Sequence, residues 1–337
     1  MGIHGGDVYR NHVDIDFSVN VNPLGVPECV QEALHRAAGL CGKYPDIEAE
    51  RLNEAVSTFL GVPEEYLLFG NGASELFMAV VHGIKPKKVV IPVPSFYGYE
   101  YAAESVDSEI VYYEMKRENH FCMKEDIGGI LTEDVDLLFL ANPNNPVGNL
   151  LDTGMAKRLL LHCREKGIYV AVDECFVDFC GKQFSLLPEI RNFENLILIR
   201  AFTKIFSIPG VRLGYLVCKN HVLLTKIARQ LPEWNLSCFA QEAGAVCAGQ
   251  EAFVEKTKKY IENERQFMEG ELRRKGFYIY PSAANFIMIY SDLPLYESLL
   301  QRGILIRDCS NFRGLGKGFY RIAVKNRKDN RILLENL

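Results

Sequence analysis

The chain has 337 residues, 48% of them hydrophobic and 24% charged, with a formal net charge of −5. That length accommodates one large core and a smaller second one, and the acidic balance offers nucleic acid no basic face. No apolar run approaches the about 20 residues of a membrane span, and the opening M-G-I-H-G-G-D lacks a charged-then-apolar leader pattern, so a cytoplasmic protein is expected.

In chain order, a first apolar run at 66–69 leads into G-N-G-A-S-E at 70–75 and a helix through 81. A second run at 88–93 precedes P-S-F-Y-G-Y at 94–99. A third, 137–140, runs into N-P-N-N-P-V-G at 142–148, and a helix is expected near 154–166. Two more follow: 168–172 ends on Asp173 and Glu174, and 196–199 leads to T-K-I-F-S-I-P-G-V-R-L-G at 203–214. A last run covers 213–218. Short apolar runs alternating with amphipathic stretches define a βαβ series, hence an α/β fold with a mostly parallel sheet flanked by helices. Ligands in such sheets bind beyond the carboxyl ends of the strands, where the polar motifs fall here.

Beyond residue 239 the pattern changes. A long charged helix is expected over 241–275, then strands at 278–280, 284–290 and 319–324. These describe a smaller α+β domain that the N-terminal segment joins. The expected division is 45–225 for the large domain, and 1–44 with 226–337 for the small one. The G-L-G-K-G stretch at 314–318 lacks a strand before and a helix after, so it is read as a turn. The ten cysteines form no CxxC pair and no zinc spacing, which fits reduced thiols and no metal site.

Three strand ends carry chemistry together. Lys204 follows an apolar run, where a desolvated amine has a lowered pKa and serves as a nucleophile toward aldehydes; alone it reads as a solvated loop lysine. Asp173 ends another run, and a carboxylate there needs a partner, although a turn aspartate is the plainer reading. With Asn145 ahead of both, the set matches what pyridoxal phosphate requires: an amine for its aldehyde, a carboxylate for its ring nitrogen, an amide for its ring oxygen. Gly72, Ala73 and Ser74 open a helix, a place where backbone N–H groups suit a phosphate, and Thr203 and Arg212 add further donors. Tyr99 is expected to lie against the cofactor ring, or else to be a packed aromatic. Arg321 is expected to clamp a substrate carboxylate, or else to form a surface ion pair. Glu174 is expected to be a helper or a solvated residue.

Jointly, N-P-N-N-P-V-G, V-D-E, T-K-I-F-S-I-P-G-V-R-L-G and R-I-A-V-K resemble the fold-type I pyridoxal-phosphate enzymes of the aminotransferase class I/II superfamily over essentially the whole chain. The resemblance implies a homodimer in which Tyr44, in K-Y-P-D, reaches the partner subunit's cofactor phosphate. It also implies that Gly72, Ala73, Ser74, Thr203 and Arg212 hold the phosphate, and that Asn145, Asp173 and Lys204 hold the ring and aldehyde. H-G-G at 4–6, D-F-S-V-N-V-N-P-L-G at 16–25 and I-R-D-C-S-N-F-R-G-L at 306–315 are most similar to the threonine-phosphate decarboxylases of cobalamin synthesis, relatives of the histidinol-phosphate aminotransferases. By that likeness His4, Gly5, Asn20, Asn145, Arg307 and Arg321 face a phosphorylated amino acid. His4 and Arg307 would lie near its phosphate and Arg321 near its carboxylate. One departure stands out: where the aminotransferases carry tyrosine three residues after the aspartate, this chain has Phe176, which has no hydroxyl to donate. A decarboxylase is therefore expected, with a phosphate-substrate aminotransferase as the rival and a non-catalytic cofactor-binding domain behind both.

Overall fold

The computed structural model of the chain describes residues 5–337. A two-residue strand β1 (Ile15–Asp16) is followed by helices α1 (Glu28–Ala38) and α2 (Glu50–Leu60). The alternating series then runs β2 (Leu67–Gly70), α3 (Ala73–Ile84), β3 (Lys88–Val93), α4 (Gly98–Glu104) and β4 (Glu109–Glu114). It continues with β5 (Leu137–Ala141), α5 (Thr153–Lys166), β6 (Tyr169–Asp173), β7 (Leu196–Ala201), the single turn α6 (Phe202–Ile205) and β8 (Gly214–Val217).

Among the described residues these strands form a seven-stranded sheet in the order β2-β8-β7-β6-β5-β3-β4. The strands from β3 to β7 pair in parallel, while β8 is antiparallel to both β2 and β7. Both faces of β5 and β7 are buried, which is why they read as unbroken apolar runs instead of alternating ones. Parallel neighbours need long crossovers, here α5 between β5 and β6. Its start is fixed by the Asp152 carboxylate accepting from the Met155 N–H at 2.7 Å, and its end by Gly167 in the left-handed conformation. The carboxyl ends of β5, β6 and β7 therefore share one rim. Gly214, at the start of β8, pairs with Gly70 and Ala201 on that rim. A Cβ at 214 would lie 2.7 Å from the Ala73 nitrogen, so only glycine lets α3 begin there.

The rest of the chain supplies α7 (His221–Ala228), α8 (Cys238–Cys247), α9 (Glu251–Arg274), β9 (Tyr278–Ile279) and β10 (Phe286–Tyr290). Then come α10 (Leu295–Leu300), β11 (Ile304–Leu305), β12 (Arg307–Asp308), β13 (Phe319–Ala323) and α11 (Arg327–Asn336). The single helix expected over 241–275 is in fact two, α8 and α9, broken around Gly249, a residue that weakens helices. β12, β13, β10 and β9 make an antiparallel sheet, and β1 pairs in parallel with β11. The 314–318 stretch lies in the loop between β12 and β13, with a strand and no helix after it. Among the described residues no helix is long and apolar enough to cross a membrane, and no cluster of histidine, cysteine and acidic residues could hold a metal.

Candidate active site

A cavity of about 680 Å³ opens between the carboxyl rim of the large sheet and the β12–β13 face, with Lys204, Asp173, Asn145, Asn20, Arg307 and Arg321 on its walls. Lys204 sits on α6, one turn past β7. Burial lowers its pKa, Arg321 and Arg212 repel its charge further, and Cys175 and Asp173 oppose them. Asp173 ends β6; its Oδ2 accepts from the Tyr99 hydroxyl at 2.6 Å and its Oδ1 from the Cys175 N–H at 2.9 Å. Burial nevertheless pushes its pKa up, against hydrogen bonds from Cys175 and Tyr99 and the nearby Lys204.

On the opposite wall Arg321 is 7% exposed. It donates to the Asn145 side-chain oxygen and, at 2.7 Å, to the Ser18 carbonyl. With its amide turned oxygen-inward, Asn20 accepts from Nε and Nη1 of the same guanidinium at 3.2 Å. Burial pulls the Arg321 pKa down to about 10, and Arg307 adds repulsion. Arg307 is directly opposite Arg321 in the β12–β13 register, which puts both side chains on one face. It is 6% exposed, donates to the Asn311 side chain at 2.8 Å, and lies 5.0 Å from the Phe312 ring centre. Gly5 joins Ser18 and Asn20 on this wall.

At the rim, Ala73 and Ser74 open α3, with Thr203 and Arg212 beside them. Gly72 precedes them at φ +82°, and a Cβ there would meet Arg212 Nη2 at 2.5 Å. Its backbone is thus in contact with the guanidinium, which leaves a cradle of helix N–H groups, hydroxyls and one cation.

Two expectations need correction. Tyr99 is not a wall of the cavity: its ring stacks on Phe139 at 5.1 Å and 8°, and it is 1% exposed. A phenol so desolvated needs an acceptor, which Asp173 provides; Phe96 lines the cavity in its place. Glu174 is not solvated but fully buried, accepting from the Ser185 hydroxyl and the Leu186 N–H beside Arg200. Tyr44, expected to act at a partner subunit's site, is 82% exposed and packs on Trp234 at 5.0 Å, off the cavity wall of its own chain. His4 lies outside the described residues. Sequence reasoning missed Cys175, Phe96, Tyr97, Glu100 and Arg313 on the cavity wall. Of these, Cys175 adjoins a motif already singled out, and its proximity to Asp173 was the available signal.

An amine with a lowered pKa, a half-buried carboxylate, an amide and an anion cradle in one cavity fit a phosphorylated aldehyde with a basic ring. Residues 13–337 match the family described as aminotransferase class I and II. The chain belongs to that family, a class of fold-type I enzymes whose cofactor is pyridoxal 5′-phosphate. Among particular proteins, it is 32% identical to the threonine-phosphate decarboxylase of Salmonella typhimurium, across 96% of this chain and 90% of that one. It is 36% identical to a protein of Caldanaerobacter subterraneus subsp. tengcongensis that is described, provisionally, by the same activity, across 99% and 92%. The crystal structure of the histidinol-phosphate aminotransferase from Clostridium acetobutylicum superposes with a TM-score of 0.90 at 33% identity, covering 96% and 98%.

Proposed function

We propose that the protein is a homodimeric cytoplasmic decarboxylase that converts L-threonine O-3-phosphate to (R)-1-amino-2-propanol O-2-phosphate and CO₂ in cobalamin biosynthesis. The observation that carries this reading is the Arg307–Arg321 pair, two buried cations directly opposite each other on adjacent strands. Like charges so placed repel, and burial strengthens the repulsion. A substrate bearing both a carboxylate and a phosphate relieves it at both positions. The decarboxylase relatives support the same substrate class.

In this reading Ala73, Ser74, Thr203 and Arg212 hold the cofactor phosphate, with Gly72 leaving room for the guanidinium. Asn145 takes the ring oxygen, Asp173 the ring nitrogen and Lys204 the aldehyde carbon. Bound pyridoxal phosphate supplies an electron sink for the pair left on Cα when CO₂ departs. Arg321, steadied by Ser18 and Asn20, grips the substrate carboxylate, and Arg307 with His4 grips its phosphate beside Gly5. Lys204 would return a proton to Cα from its ammonium form and be left as the neutral amine, the form that burial favours. Residues 45–225 would form the cofactor domain, and 1–44 with 226–337 the substrate-side domain.

Product analysis tests the reading: phosphothreonine should yield CO₂ and the amino alcohol phosphate. The likeness to a histidinol-phosphate aminotransferase favours a second reading; glutamate formed from histidinol phosphate and 2-oxoglutarate, with no CO₂ from phosphothreonine, would establish it instead.

Replacing Arg307 by alanine should weaken phosphothreonine binding about tenfold or more, since a charge-assisted contact contributes about 1.5–3 kcal/mol. Unphosphorylated threonine should bind as before; equal loss for both ligands, measured by calorimetry, would remove Arg307 from the phosphate.

Phe176, 8% exposed and edge-on to Phe286 at 5.3 Å, lines the cavity. A phenol there would donate to the anionic ring oxygen and favour the deprotonated cofactor. The visible absorption band of the Phe176→Tyr holoenzyme should therefore titrate at lower pH than that of the native protein. An equal or higher midpoint contradicts this.

Tyr44 provides the test of the dimer. Mixing Lys204→Ala chains with Tyr44→Phe chains should recover activity, because one site of each heterodimer then has neither defect. An active monomer by light scattering would defeat this proposal.

A further inference from the structure

Arg313 stands in the loop between β12 and β13, at the mouth of the cavity that holds Lys204, and the mechanism above gives it no task. Its guanidinium forks onto Glu100 of α4: Nη2 donates to Oε1 at 2.7 Å and Nε to Oε2 at 3.4 Å. The same group lies 4.1 Å over the Tyr112 ring on β4, and the pKa of the Tyr112 hydroxyl is pushed up to about 12 by burial and by the nearby Glu100. Isolated surface ion pairs contribute little, but a forked pair stacked on an aromatic ring within a network is the exception. Half of this pair is also shielded, with the Glu100 side chain 16% exposed against 51% for Arg313.

Both ends of the contact are tied to the site. Glu100 follows Tyr99, whose hydroxyl bonds to Asp173. On the loop, Asn311 accepts from Arg307 and Phe312 lies against its guanidinium. Gly314 brings the loop so near the β3–α4 turn that an added Cβ would be 3.4 Å from the Pro94 nitrogen. Because Glu100 neutralises Arg313, the pair offers a phosphate little net charge; its effect falls on the loop.

We infer that Arg313 and Glu100 form a clasp that fastens the 308–315 loop across the cavity mouth and thereby sets Arg307 for a phosphorylated substrate. Arg313 is a positioning residue that acts through Arg307, and this inference rests on the substrate reading above. The clasp joins residues 213 positions apart, so it spans the large sheet and the C-terminal loop with a single contact.

The test uses holoenzyme carrying Arg313→Gln, Glu100→Gln, both together, or the exchanged pair Glu100→Arg with Arg313→Glu. Steady-state kinetics with phosphothreonine are combined with hydrogen–deuterium exchange over 308–315 in the absence of substrate. Each single change should raise KM about three- to tenfold with kcat nearly constant, and should speed exchange in the loop at unchanged cofactor absorbance. The double variant should be no worse than either single one, because the two act as a unit. The exchanged pair should recover most of the loss. Additive effects in the double variant, or loop exchange as slow as in the native protein, would overturn the clasp. If native holoenzyme does not turn over phosphothreonine, the substrate reading falls, and loop exchange alone then decides for or against the clasp.

Discussion

Lys204→Ala holoenzyme should lose about 10²–10⁴-fold in turnover, the range for removing a group that transfers a proton in the rate-determining chemistry. Borohydride reduction of the native holoenzyme, followed by peptide mapping, should place the pyridoxyl label on the peptide containing Lys204. Label on another lysine would overturn the assignment. The physical reason is local: the amine sits one turn beyond a fully buried strand, where burial, Arg321 and Arg212 all disfavour its charge. An amine pushed toward its neutral form is the nucleophile that an aldehyde needs. The variant should still fold, since among the described residues no hydrogen bond from the Lys204 side chain holds its neighbours and the apolar core behind it is untouched.

Asp173→Asn should cost about 10²–10³-fold in turnover, the range for removing one preorganised charge-stabilising group. The same substitution should stabilise the apoprotein at neutral pH. Burial raises the folded pKa of Asp173 above its unfolded value, and an acid shifted upward destabilises the fold at every pH above the folded value. That penalty fades as pH falls toward the ordinary carboxylate pKa. The variant's advantage in thermal denaturation should therefore be largest near pH 7 and should have vanished by about pH 4. A variant equally active, or less stable than the native apoprotein at pH 7, would contradict the account of this carboxylate.

The parallel core was legible because its strands are buried on both faces and must be apolar throughout, so β5, β6 and β7 appear as runs that end where polar residues begin. Asp173 and Lys204 were legible for the same reason. Tyr99 was misread because S-F-Y-G-Y does not reveal which ring turns inward; α4 starts only at Gly98, and the hydroxyl of Tyr99 finds its acceptor 74 residues further on. The opposition of Arg307 and Arg321 depends on strand register, set by a loop of irregular conformation that carries no periodic signal. The break between α8 and α9 was hidden by apolar spacing that continues through Gly249. The Glu100–Arg313 contact joins two charged residues that look like ordinary solvated ones until the fold is closed.

Arg321 also has a consequence for the order in which the protein is made. Its guanidinium bonds to the Ser18 carbonyl, 303 positions earlier in the chain. A ribosome delivers Ser18 and Asn20 first, then the rim of the large sheet, and β13 only near the end. For most of translation the N-terminal wall of the cavity waits without its guanidinium, and closing so long a loop is among the slower events in folding. On the proposed reading, no partial chain lacking β13 can hold a substrate carboxylate between Asn20, Asn145 and Arg321. Catalytic competence therefore arrives in one step, after the last wall is in place.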